Sequence, residues 1–141
     1  MNDHINQFCE DLRVKLASVE NNVKALKTKI ESKAQTAEND AIASLNDLKA
    51  DIERSREKVV AAQAEIKKWA DEQKNTAPEK IAEWKAKHEK GKLQHRAESA
   101  ERYAKAAVAV ALSAVDEAAQ AALEAWLARA DVESTKSSKA A

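Results

Sequence analysis

His88 and His95 have the best claim to chemistry in this sequence, since two imidazoles on one helix face could share a metal ion or relay a proton. Their spacing argues against it. Seven residues set them on the same face but about 10 Å apart along a helix axis, too far for one ion. His95 and Glu98 stand at a reachable i, i+3 spacing, which offers two ligands where a structural site wants four. A solvated polar face with no bound metal is the expectation.

Cys9 is the only thiol, so it has no partner for an intramolecular disulfide. It falls on an apolar repeat, where a small hydrophobe belongs, and no Cys-His pairing stands ready to activate it. No Gly-rich phosphate loop, G-x-S-x-G elbow, H-E-x-x-H pair or cysteine cluster occurs. With one Gly and one Pro, the chain has few loops on which polar groups could converge into a pocket. The sequence predicts no enzyme, no catalytic residue and no cofactor.

Lys80, Lys85, Lys87, Lys90, Lys92, Arg96 and Arg102 resemble a phosphate-binding run until Glu79, Glu83, Glu89, Glu98 and Glu101 are counted among them. Opposite charges three or four apart support an exposed helix and make a poor nucleic-acid patch. Over the whole chain 24 basic side chains meet 24 acidic ones, so no net field draws the protein to nucleic acid or an anionic membrane. Partners must be recognised by shape and apolar contact. The start Met1-Asn2-Asp3-His4 has neither the basic nor the apolar region of a secretory signal, and a cytoplasmic location is the default expectation. The most apolar stretch, Ala104 to Ala130, carries Lys105, Asp116, Glu117, Glu124 and Arg129. Its uncharged part, Ala106 to Val115, is about half of the ~20 residues a membrane span needs, so a transmembrane helix is not expected there.

The elements that would position these residues are helices. Aromatics make up 4% of the chain and charged residues 34%, a composition of long solvated helices and not of a compact β or α/β core. Ile5, Cys9, Leu12, Leu16, Val19, Val23, Leu26 and Ile30 recur at alternating steps of three and four, an a/d seam. A second seam, Leu45, Leu48, Ile52, Val59, Ala62, Ile66 and Trp69, is displaced by one residue from the first and joined to it by eleven-residue steps. No Gly or Pro interrupts Asp3 to Lys74, so helix 1 is expected over about residues 3–74, spanning on the order of 105 Å if continuous. Ser32 and Gln35 could instead form a capping box that splits it.

A break is expected at residues 75–78, where Thr76 as N-cap, Pro78 in the first turn and Glu79 would form a T-x-x-E capping box. Helix 2 then runs over about 77–130, with Gly91 costing about 1 kcal/mol relative to Ala and marking a kink or a close approach. Residues 132–141 lose periodicity and are expected to be a disordered tail, leaving 1–131 as a single elongated domain.

The fold class is all-α, a long antiparallel helical hairpin or coiled coil that dimerises into a four-helix arrangement; a three- or four-helix up-and-down bundle is the alternative. Trp69 and Trp84 lie at similar distances from the turn and should cluster near the hairpin end. The same fold-back sets Trp126 against Leu26 and Ile30. Helix 1 overhangs, and its apolar stripe needs covering. The expected interface residues are Ile5, Leu12, Leu16 and Val19 on that overhang. Leu112, Val115, Leu123 and Trp126 belong to a broad Ala-rich face, where small residues let backbones approach.

Two functions follow from different classes. The first is a structural or scaffolding coiled-coil protein acting by self-association, as a homodimer, and by contact with other helical proteins. The second is a peripheral amphipathic-helix protein coating lipid or another hydrophobic surface; Lys and Arg are few on the Ala-rich stretch, where an interfacial helix usually carries them.

Overall fold

A computed structural model of the chain describes residues 3–31 and 37–140, with side chains for 3–31 and 38–135. The described residues are all-α: α1 (Asp3–Glu31), α2 (Ala37–Asn75), α3 (Pro78–Ala86) and α4 (Lys90–Ala140). The continuity of helix 1 and the Ser32–Gln35 cap lie outside the described residues. Two expectations change. Helix 2 is two elements, α3 and α4, and α4 runs on to Ala140 through the segment expected to be a disordered tail.

Local chemistry accounts for the helices. Asp3 lies in the first turn of α1 and Lys29 in its last, Glu38 and Asp40 open α2 and Lys74 closes it, each sign matched to the helix dipole. Ion pairs at i, i+4, Glu20–Lys24 at 3.2 Å, Lys27–Glu31 at 3.8 Å and Glu83–Lys87 at 2.7 Å, lie on exposed faces. Each contributes only tenths of a kcal/mol.

The α2–α3 break falls at Thr76 and Ala77, but the cap differs from the expected one. Ala77 is the N-cap, with no side-chain cap hydrogen bond, and Pro78 holds the first helical position. Proline's fixed φ and missing N–H suit that position, so the ring and not a Thr76 hydroxyl sets the start of α3. At the other end of α3 the Lys87 N–H donates to Glu83 O at 2.9 Å, the His88 N–H to Lys85 O at 3.2 Å and the Glu89 N–H to Trp84 O at 2.8 Å. The last two bonds define a Schellman ending. Its left-handed residue is His88, at φ 56°. Gly91, the residue the sequence suggests for a kink, lies inside the first turn of α4 with no positive φ and no atom within 4 Å of where a Cβ would stand.

The chain divides into two compact units, residues 1–54 with 114–141 and residues 55–113. In the first, α1, the start of α2 and the end of α4 surround a small core of Ala41, Leu45 and Leu123, with Leu26, Leu48, Trp126 and Leu127 packed against it. Trp126 and Leu26 each pack against this core, and Ile30, which the fold-back also sets beside Trp126, is not part of the cluster. Lys29 Nζ donates to Ser44 Oγ at 2.6 Å, and Lys49 approaches Glu124 at 3.7 Å.

In the second unit the buried positions are small residues of α2 and α4. Ala62 and Ala106 are buried, as is Ser99, whose Oγ accepts from Arg102 Nη2 at 3.0 Å. Arg102 Nε also lies 3.9 Å from Glu65. Alanine at such positions lets helix backbones approach closely.

Candidate functional site

The first unit carries an open groove of about 390 Å³ between α1, α2 and α4. Val19, Val23 and Leu26 of α1, Leu48 of α2 and Val115, Ala119 and Leu123 of α4 form its apolar lining. Asp47, Asp51 and Asp116 add carboxylates, and Asn22, Lys29 and Ser44 are the remaining polar groups with them. Burial raises the Asp116 carboxyl above the usual carboxylate range, and the nearby charge of Asp51 raises it further. Asp51 itself is paired with Arg54 one turn along α2. The groove can accept an apolar side chain beside a cationic or hydrogen-bond-donating one.

Outside this groove α1 is poorly covered. It has no buried residue, and Ile5, Val14 and Leu16 are each more than half exposed, as is Val23 on the groove rim. Cys9 is exposed as well. Arg13 hydrogen-bonds Glu10 on the same helix and holds that carboxyl below its ordinary range.

The interface residues expected from the sequence thus separate. Ile5 and Leu16 are exposed at 52% and 55%, Leu12 is half-buried, and Val19 and Val115 are half-buried in the groove wall. Leu123, only 2% exposed, sits in the core of its own unit, and Trp126 packs against that core. Leu112 is half-buried in the second unit.

In the second unit Trp69 and Trp84 line one cavity of about 130 Å³ with Glu72, Lys92, His95 and Arg96. The ring stacked on Trp69 is Tyr103, at 5.5 Å between centroids and 17° between planes, while Lys92 Nζ lies 5.9 Å over Trp84. The stack closes an aromatic contact between α2 and α4, and Lys92 caps the other indole as a cation–π pair. His88 does not share a helix with His95, because it ends α3. Among the described residues no group of three or more His, Cys, Asp or Glu side chains is placed to hold a metal ion.

The sequence argument against a membrane span rests on the charges within Ala104 to Ala130. By length and composition alone α4 is nevertheless apolar enough to cross one: an 18-residue window reaches a mean hydropathy of 1.4, and 11% of that window is buried. The core helix of a soluble protein passes the same test when most of it is buried, and this one is covered far less. No protein-family model matches the chain, and it has no significant match among curated proteins or solved structures.

Proposed function

We propose that the chain is a non-enzymatic structural or scaffolding protein of the cytoplasm, acting by self-association as a homodimer and by contact with other helical proteins. The observation that carries this reading is α1: a 29-residue helix with no buried residue and with Ile5, Leu16 and Val23 more than half exposed. Most helical stability in proteins comes from packing an amphipathic face, and propensity alone holds such a helix only marginally. An apolar seam repeated along α1 and left in water calls for a second surface.

The contacts support an up-and-down arrangement of helices. Lys29 at the end of α1 meets Ser44 near the start of α2, while Val19 shares a groove with Asp51 further along α2. Lys49 of α2 meets Glu124 of α4, while Asp51 faces Asp116. Both pairings run in opposite senses. Light scattering on gel filtration tests the proposal: a mass twice the 15.5 kDa chain is expected, and a monomer over the micromolar range would overturn it.

The second reading, a protein that coats lipid or another hydrophobic surface, is favoured by one observation, the apolar and largely uncovered window of α4. Adding vesicles of neutral and anionic lipid should then raise helicity and protect α4 from proteolysis. A dimer indifferent to both would sink that reading.

A further inference from the structure

We propose that the second copy seats on the outward column of α1, Cys9–Leu16–Val23, running antiparallel to it; the inference rests on the self-association reading above. The heptad seam of α1 splits into two columns in the structure. Leu12, Val19 and Leu26, seven residues apart, are half-buried, and the last two line the groove with α2 and α4. Cys9, Leu16 and Val23, also seven apart, are exposed. Seven residues are close to two full turns, so each column is a nearly straight row along the helix. The chain's own helices cover the first row and reach the second only at Val23, which is on the groove rim and still 52% exposed; the rest of that row is a preformed half of a helix-to-helix seam.

The charges beside that row say which partner fits. On the side of the row away from the groove stand Arg13, Glu20 and Lys27, again seven apart and alternating in sign. Their pairings, Arg13–Glu10, Glu20–Lys24 and Lys27–Glu31, are with residues of the same helix and on exposed faces, where exchange of partners costs little. A copy related by a two-fold axis beside Leu16 sets Arg13 against the partner's Glu20 and Glu20 against the partner's Arg13. A parallel copy sets this flank against the other edge of the partner helix, Lys15, Asn22 and Lys29, where Lys15 alone meets Glu20 while Asn22 and Lys29 line the groove of their own chain. An alternating row is complementary to itself only when reversed, so a second antiparallel copy of this chain is the occupant.

The chain's single cysteine makes orientation measurable. In the antiparallel pair Cys9 lies opposite residue 24 of the partner, and the two thiols are about 22 Å apart at 1.5 Å per residue, beyond the reach of a disulfide. Mild oxidation of the native chain should therefore give no covalent dimer, whereas Leu16→Cys in a Cys9→Ala background should cross-link. Ready cross-linking through Cys9 would overturn the antiparallel orientation. If light scattering gives a dimer and the Leu16→Cys chain does not cross-link, this face is wrong while self-association stands; if the native chain is a monomer, the self-association reading itself falls and takes this inference with it. As an independent check, Glu20→Arg should weaken the dimer about fivefold to tenfold, through two copies of one exposed pair. Adding Arg13→Glu to it should restore the affinity, and failure of that rescue would also overturn the pairing.

Discussion

Replacing His88 by glycine should stabilise this chain. His88 is the only non-glycine residue with positive φ among the described residues, at 56°, and the two Schellman bonds that end α3 hold it there. A left-handed L-residue crowds its Cβ against a carbonyl at a cost of roughly 1–2 kcal/mol. Glycine removes that crowding but gives the unfolded chain more freedom, worth about 0.4–1 kcal/mol. The His88 side chain is exposed and loses little packing, so the net gain is about 0.5–1 kcal/mol. Gly91 supplies the opposite test. It is helical, with open space around a built Cβ, so Gly91→Ala should also stabilise, by about 0.5–1 kcal/mol. Urea unfolding followed by far-UV circular dichroism resolves such changes, and the corresponding rise in melting temperature is about 2–6 °C. If His88→Gly destabilises and Gly91→Ala does too, the left-handed residue is Gly91 and the assignment of the α3 ending fails.

Leu123→Ala should cost about 2–4 kcal/mol, because it opens a cavity at a position 2% exposed, whereas Val132→Ala, at a position 42% exposed, should stay within about 0.5 kcal/mol; urea midpoints distinguish them. A double-mutant cycle replacing Trp69 and Tyr103 with leucine should return a coupling of about 0.5–1.5 kcal/mol for the stack, and additivity would remove it from the account. Asp116→Asn should raise stability at neutral pH by up to about 0.5 kcal/mol and have no such effect at pH low enough to protonate both carboxyls. The folded-state pKa of Asp116 is raised by burial and by Asp51, so the fold binds that proton more tightly than the unfolded chain does. Stability from this group is then highest below the unfolded carboxylate pKa and falls as pH rises through the folded one; equal gains at both pH values would contradict this.

The all-α class was legible because it needs only periodicity and the near absence of Gly and Pro. What stayed hidden was the end of α3. A glycine three residues past the true ending drew the expected kink to Gly91, while the left-handed position went to His88, a residue with no intrinsic signal for it. That error propagates into register. Folding one continuous helix back from Thr76 sets Trp69 opposite Trp84, but α3 and the three residues after it lengthen the return path, and Tyr103 is the ring that stacks on Trp69. The groove carboxylates were invisible for the same reason, since Asp51 and Asp116 meet only in the shifted register. The apolar stripe of α1 was readable from spacing, but its division into an inward and an outward column is a property of packing against α2 and α4. Leu123 was legible as an apolar contact, and its place in the chain's own core was not.

The thinness of the interior has a thermal consequence. Among the described residues five hydrophobic side chains and Ser99 count as buried, and none falls below 2% exposure. The heat capacity released on unfolding scales with the apolar surface newly wetted. A single chain that hides so little should show an increment well under the usual ~12–15 cal/mol/K per residue. Its free energy of unfolding then bends only gently with temperature, so cooling should weaken it less than it weakens a domain of equal length with a deep core.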